Sequence, residues 1–109
     1  PVCCAASLAT LETIEHERLI ESVAKKEKLF RELLIHPAIK SIRSKGLLMA
    51  VEFESFDVVK TIIKNGLAHG IVTDWFLHCS NSIRIAPPLI ITESQIKEAC
   101  TKLLNCVPK

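Results

Sequence analysis

The residue of this chain with the clearest potential for binding chemistry is a single arginine in an apolar segment. Residues 83–92 read IRIAPPLIIT, and Arg84 is the one charged residue among them. No carboxylate occurs between Asp74 and Glu93. A guanidinium stays charged at physiological pH and is costly to bury without an anion. If the segment belongs to the core, Arg84 therefore needs a partner from elsewhere, either a distant acid or the carboxylate of a ligand.

Two roles for Arg84 remain open from the residues alone. As a ligand site, its planar fork could clamp a carboxylate through charge-assisted hydrogen bonds, each contributing roughly 1.5–3 kcal/mol. As a structural residue, it could form an internal ion pair with Asp74, Glu52 or Glu93, since isolated arginines in strands are commonly structural.

The other candidates for catalysis or metal binding are weak. Asp74, His78 and Ser80 are residue types of a hydrolytic triad, but no GxSxG sequence occurs and all three fall in one segment. The spacing of His78 and Cys79 from the later cysteines matches no usual zinc pattern. No GxGxxG sequence and no P-loop is present. We therefore expect no metal site, and the residues alone assign no catalytic role.

Length and composition restrict the class of protein. With 109 residues, 49% hydrophobic and 24% charged, the chain has the composition of one globular domain. A net charge of +2 does not indicate a nucleic-acid or anionic-membrane partner, and no apolar run approaches the roughly 20 residues that span a bilayer. Five cysteines without a CxxC pair favour free thiols in a reducing compartment, so we expect a cytoplasmic protein. Because the chain begins at Pro1 and has Met49 as its one methionine, we expect a fragment of something longer.

Periodicity and capping signals predict the element order α-α-β-β-α-β-β-α. Helices are expected at residues 2–16, at 17–34, between Ser55 and Gly70, and from a TESQ capping box at 92–95 to residue 107. Strands are expected at residues 39–43, 47–54, 71–78 with a break near Asp74, and 83–86, with turns at 44–46 and at Asn81. The strand at 47–53 is apolar on both faces, so we expect it to be central and covered by helices. This order indicates an α+β fold, in which helices pack on a small, mostly antiparallel sheet.

Three stretches carry a family resemblance. Residues 1–11 (PVCCAASLATL) resemble an NPxx(C/A)AAxAxL helix, residues 43–49 (RSKGLLM) resemble an RGxGLM hairpin with Ser44 in place of Gly, and residues 83–92 resemble an IR(F/I)APPLxIT segment. Together they resemble the C-terminal small domain of class III pyridoxal-phosphate (PLP)-dependent aminotransferases, such as ornithine, acetylornithine and 4-aminobutyrate aminotransferases. The intervening lengths also fit, so the resemblance covers essentially the whole chain.

The resemblance implies a fold, a role for Arg84 and a set of missing parts. Residues 1–109 would be the small domain of a fold-type I PLP enzyme, with residues 1–16 as the helix that leads to a missing large domain. Arg84 would bind the substrate α-carboxylate. The Schiff-base lysine, the aspartate that pairs with the pyridinium nitrogen and the phosphate-binding loop would lie upstream. We therefore expect no catalytic or cofactor-binding residue in this chain, and the fragment alone should neither hold PLP nor transaminate.

The intact enzyme would be a homodimer that moves an amino group from an amino acid to a 2-oxo acid. The residues also permit an alternative of another class. A free-standing, non-enzymatic α+β module could bind or sense a small carboxylate through Arg84.

Overall fold

The computed structural model describes residues 1–108, in which three of the four α-helices pack against one face of a four-stranded antiparallel sheet and the first helix lies apart from the core. The helices are α1 (Val2–His16), α2 (Val23–Leu33), α3 (Phe56–Ala68) and α4 (Glu93–Asn105). The strands are β1 (Ser41–Lys45), β2 (Leu48–Glu52), β3 (Asp74–Phe76) and β4 (Cys79–Ile85), in the sheet order β1-β2-β4-β3. The predicted α+β class and the predicted element order are confirmed. In residues 1–108 no helix is both long enough and apolar enough to cross a membrane.

The helix predicted at residues 17–34 was wrong in its first part. Arg18 adopts a left-handed conformation with φ 52°, which ends the path of α1 and redirects the chain. A short 3-10 helix, Leu19–Ser22, then precedes α2. The Arg18 Nε donates to Glu21 Oε1 at 2.8 Å, and the Ser22 hydroxyl donates to the Leu19 carbonyl, so local polar bonds hold this bend.

The predicted turns were also misplaced. The first hairpin has a two-residue loop, Gly46 and Leu47, and Lys45 pairs with Leu48 directly across it. The second turn lies at residues 77–78, whereas Asn81 belongs to β4 and donates from Nδ2 to the Phe53 carbonyl at 3.3 Å. Residues 71–72, predicted as strand, form neither strand nor helix, whereas Asp74, predicted as a break, begins β3.

The core lies between the sheet and the helices, and within residues 1–108 one face of the sheet is covered and the other is not. The residues that fill it include Phe30, Met49, Val51, Phe53, Val59, Ile62, Ile83 and Ile96, each at most 2% exposed. On β2, Met49 and Val51 are buried while Leu48 is 53% exposed, because successive side chains of a strand point to opposite faces. The prediction that this strand is central is confirmed, and helices cover the face that carries Met49 and Val51, whereas in residues 1–108 the opposite face is not covered.

We call the uncovered side of the sheet the open face. The strand register places one row of four residues across it, in the order Arg43, Ala50, Arg84 and Asp74. Ala50 shares this side because it alternates with the buried Met49 and Val51. The sheet therefore brings two arginines and one aspartate, far apart in sequence, onto one surface.

The β1–β2 hairpin is fastened to α2 by polar contacts. The Glu27 carboxylate accepts hydrogen bonds from the Ser44 hydroxyl and from the Gly46 amide, the latter at 3.0 Å. Arg31 Nε donates to the Ser44 Oγ at 2.9 Å. The hydrogen bond from Ser44 is the main cause that holds the pKa of Glu27 below its usual value; desolvation partly opposes it, and the Gly46 amide and the nearby Arg31 add smaller lowering effects. Ser44, which stands where the resembled family has Gly, is thus an anchoring residue here.

Gly46 is required by both conformation and space. Its φ is +59°, and a Cβ at this position would lie 2.7 Å from Val23 Cγ1. Gly46→Ala therefore adds overpacking of roughly 1–3 kcal/mol to a left-handed strain of about 1–2 kcal/mol, because the β-branched valine cannot move aside easily. Gly70→Ala is the matched control, since Gly70 has φ +74° but open space around it. In urea unfolding we expect Gly46→Ala to lower the free energy of unfolding by at least about 1 kcal/mol more than Gly70→Ala does. Equal losses would contradict the close contact between Gly46 and Val23.

The Glu27 contacts make stability pH-dependent. Since the folded state lowers the pKa of Glu27, its contribution is complete above the unfolded value of about 4.5 and is lost as the pH falls through the lower folded pKa. We expect Glu27→Gln to reduce the free energy of unfolding at pH 7, with the difference from the unmodified chain shrinking below pH 4.5. Denaturant titrations at a series of pH values measure this, with the exposed Glu12→Gln on α1 as control. If the difference in free energy of unfolding stays constant down to low pH, the hydrogen bonds of the Glu27 carboxylate to Ser44 and Gly46 do not stabilise the fold.

Candidate functional site

Arg84 lies on the open face of the sheet and not in the core. Its neighbours Ile83 and Ile85 point toward the helices, and Ile83 is fully buried. The two-residue period of β4 turns Arg84 to the other side, where its side chain is 48% exposed. Of the apolar flanks, Ile83 is a core residue and Ile85 is partly buried, but the charge between them is not buried.

Arg84 has an acidic neighbour in the same chain. Its Nη2 lies 3.7 Å from Asp74 Oδ2, and the Asp74 side chain is 52% exposed. Of the three acids considered from sequence, only Asp74 pairs with Arg84 among the described residues. Glu52 pairs with Arg43 at 3.4 Å and Glu93 with Lys25 at 2.6 Å. The internal ion pair is therefore present, but its separation exceeds the roughly 2.7–2.9 Å of a charge-assisted hydrogen bond.

The backbone around this pair is fixed by two further bonds. The Thr73 hydroxyl donates to the Arg84 carbonyl at 2.7 Å, and Asp74 Oδ1 accepts from the Trp75 amide at 2.8 Å. Asp74 and Arg84 are also directly opposite each other in the β3–β4 pair. The two side chains thus start from defined positions on adjacent strands.

A shallow concavity on the open face lies beside Arg84. It has a volume of about 440 Å³ and is lined by Arg43, Ala50, Phe76, Cys79 and Arg84, among others. Ala50 sits between the two arginines in the cross-strand row, and its small side chain leaves the space above it open. A small ligand could therefore contact the Arg84 guanidinium without moving the sheet.

Arg43 shares the concavity but is already engaged. Its Nη1 lies 3.4 Å from Glu52 Oε2, and its Nη2 donates to Cys79 Sγ at 3.3 Å and to Ser82 Oγ at 3.5 Å. The hydrogen bond with Ser82, and after it that with Arg43, lowers the pKa of the Cys79 thiol. Sequence reasoning missed this cluster, because its members come from β1, β2 and β4 and no local spacing connects them.

The segment after Arg84 is held by α2. The Lys26 ammonium donates to the Leu89 carbonyl, and Lys25 pairs with Glu93 at the start of α4. The capping box predicted there is confirmed, since Thr92 Oγ1 accepts from the Gln95 amide and Gln95 Oε1 accepts from the Thr92 amide. These contacts hold the C-terminal part of the proline-containing segment that follows β4.

The remaining candidates do not assemble into a site. Within residues 1–108 no hydrogen bond joins Asp74, His78 and Ser80, and no group of three or more potential ligands could hold a metal ion. All five cysteines are free. Burial raises the pKa of the Cys100 thiol to about 11, so it is an unreactive core residue.

Comparison with known proteins identifies similar chains. The family model described as Aminotransferase class-III matches residues 1–107. The acetylornithine aminotransferase of Caldanaerobacter subterraneus subsp. tengcongensis is 38% identical over 104 residues, covering 91% of this chain and 26% of the relative. The (R)-1-hydroxy-2-aminoethylphosphonate ammonia-lyase of Vibrio splendidus is 32% identical over 122 residues, covering 100% of this chain and 25% of the relative.

The solved structures agree with these relatives. The ornithine aminotransferase from Toxoplasma gondii ME49 superposes with a TM-score of 0.85 at 27% identity, over 97% of this chain and 26% of that structure. The chain therefore spans about a quarter of the length of the proteins that it matches.

Proposed function

Because this chain belongs to the class III aminotransferase family, we propose that it is the C-terminal small domain of a longer PLP-dependent aminotransferase. The match of the family model to residues 1–107 and the fold shared with an ornithine aminotransferase support this proposal. The resemblance supports the C-terminal placement, since the three matching stretches follow the cofactor-binding part in such enzymes. The coverage of only 26% of the acetylornithine aminotransferase leaves room for a large domain.

The described residues do not by themselves fit PLP. A PLP enzyme needs a sheltered lysine for the cofactor aldehyde and an acidic partner for its ring nitrogen. No lysine of residues 1–108 is buried. We infer that the cofactor is held by the rest of the polypeptide, and that this domain contributes to substrate binding.

The main observation behind the proposal is that the Arg84 guanidinium lies beside an open concavity and has no short hydrogen bond to an acid of residues 1–108. The Asp74 carboxylate balances its charge at 3.7 Å but forms no short hydrogen bond with it. A carboxylate placed across the fork could make two parallel charge-assisted bonds, a geometry that a lysine cannot reproduce. Arg43, with three partners of its own, is the less available of the two arginines.

We infer that the substrates are an amino acid and a 2-oxo acid, each held by its carboxylate at Arg84. Fixing one end of a substrate positions its amino or keto carbon against the reacting group, and such positioning can contribute several kcal/mol to lowering the barrier. The acetylornithine and ornithine aminotransferases among the similar proteins favour amino transfer. The ammonia-lyase relative means that the family alone does not fix the reaction.

Helix α1 supports the existence of a further domain. None of its residues is buried, and Leu8 and Leu11 are 58% and 65% exposed. An isolated helix of about this length is marginal in water, so most helices depend on packing for stability. We infer that α1 packs against the large domain, and that the intact enzyme is a homodimer, as the resemblance implies.

Arg84→Lys in the full-length protein tests the role of the guanidinium. We expect kcat/KM for carboxylate-bearing substrates to fall about 10- to 100-fold, mainly through KM, because one point charge replaces two directed bonds. Arg31→Lys, which affects the contact between α2 and the hairpin, is the matched control and should leave KM near its original value. Unchanged kinetics in Arg84→Lys would refute the assignment.

The non-enzymatic alternative is a free-standing module that binds a small carboxylate. It is favoured by the accessibility of the Arg84 concavity in this chain alone. The reading frame upstream of Pro1 separates the two proposals. A long frame whose product shows PLP absorbance supports the aminotransferase, whereas a start codon just before Pro1 supports the module.

A further inference from the structure

Asp74 holds a fixed position beside Arg84 that does not depend on the ion pair. One of its oxygens, Oδ1, accepts from the Trp75 amide at 2.8 Å. That bond leaves the other oxygen, Oδ2, directed toward Arg84 Nη2 at 3.7 Å. The strand register adds a second restraint, since Asp74 is paired with Arg84 across the β3–β4 ladder. The carboxylate is therefore held near the guanidinium mainly by backbone geometry.

Asp74 is close enough to balance the charge of Arg84, but at 3.7 Å it leaves the hydrogen-bond donors of the guanidinium free. Both side chains are about half exposed, at 48% and 52%, and exposed ion pairs at such separations contribute little to stability. A ligand carboxylate that approached the Arg84 guanidinium would come close to the negative charge of Asp74. Like charges brought together near one cation repel, so Asp74 and the ligand compete for the same guanidinium.

No second arginine offsets this competition. Arg43, which also lines the concavity, is held by Glu52, Cys79 and Ser82. With the Asp74 carboxylate beside it, the part of the open face at Arg84 is therefore close to neutral, and a neutral side chain at position 74 would leave it positive.

Resting on the proposed function, we propose that Asp74 is an internal competitor that sets the affinity of Arg84 for substrate carboxylates. In the unliganded state it supplies the counter-charge of Arg84, and substrate binding displaces that interaction. Asp74 acts through Arg84 and takes no part in the chemical step. It therefore controls how much carboxylate substrate is needed and not how fast bound substrate reacts.

Asp74→Asn in the full-length holoenzyme tests the competition. Asparagine keeps the side-chain oxygen that accepts from the Trp75 amide, and it removes the charge. We expect the KM of the amino acid donor and the inhibition constant of propionate, a simple carboxylate probe, each to fall about two- to fivefold, the range for losing one half-exposed ion pair. We expect kcat to stay the same and inhibition by the uncharged propionamide not to change.

The control variants separate loss of competition from a general effect of charge or folding. Glu98→Gln removes another exposed, paired carboxylate, which contacts Lys102 on α4, and should leave both constants unchanged. Asp74→Glu retains the competing charge and should not lower either constant. Asp74→Ser, a second neutral variant, should repeat the effect of Asp74→Asn. Constants that are unchanged or raised in the neutral variants would overturn the inference, and a rise would mean that Asp74 supports Arg84.

Arg84→Lys distinguishes failure of this inference from failure of the proposed function. If Arg84→Lys leaves the KM of carboxylate substrates unchanged, Arg84 is not the binding residue and both proposals fall. If Arg84→Lys raises KM while Asp74→Asn does not lower it, the proposed function stands and the competition alone is refuted.

Discussion

The structure depends most on the alternation of side chains along β4, with a helical layer on one side only. Ile83 lies in the core, and the same strand turns Arg84 to the open face. The burial of apolar neighbours against Phe30, Ile62 and Ile96 fixes the strand, and the strand fixes the arginine. A shift of one residue in register would bury the charge and expose the isoleucines, so the core packing and the site geometry are specified together.

The electrostatic state of Arg84 follows from this position. A buried guanidinium would need a tightly bonded acid of its own chain, because an unpaired buried charge is very costly. At the half-exposed surface of the sheet, solvent screens the charge and a partner at 3.7 Å suffices. Binding capacity for a ligand carboxylate is thus compatible with a stable fold. Arg43 shows the contrasting case, in which a guanidinium on the same face is engaged by three groups from neighbouring strands.

Much of the fold could be predicted from sequence because its signals are local. The capping box at Thr92, the Ser55 N-cap and the apolar periods of α3 and α4 are confirmed. The early part of the second helix was wrong, because the left-handed conformation of Arg18 has no strong sequence signature. Asn81 was assigned to a turn, because a polar residue between Ser80 and Ser82 looks like a loop residue when the partner strand is unknown.

The site was predictable only in part. Arg84 could be identified from its isolation in an apolar segment and from the resemblance, whereas its exposure, its separation from Asp74 and the cluster around Arg43 arise from strand pairing. On β2, Leu48 is apolar but exposed, so hydrophobicity on both faces of the strand did not indicate cover on both faces. Cross-strand neighbours depend on register, and register is a property of the whole sheet.

The central claim, that Arg84 holds the substrate carboxylate, is tested most directly by a crystal structure of the full-length enzyme with a bound 2-oxo acid. We expect both carboxylate oxygens within about 3 Å of the Arg84 guanidinium nitrogens, with Asp74 no longer the nearest anion. A ligand carboxylate held by other residues, with Arg84 still facing Asp74, would contradict the account.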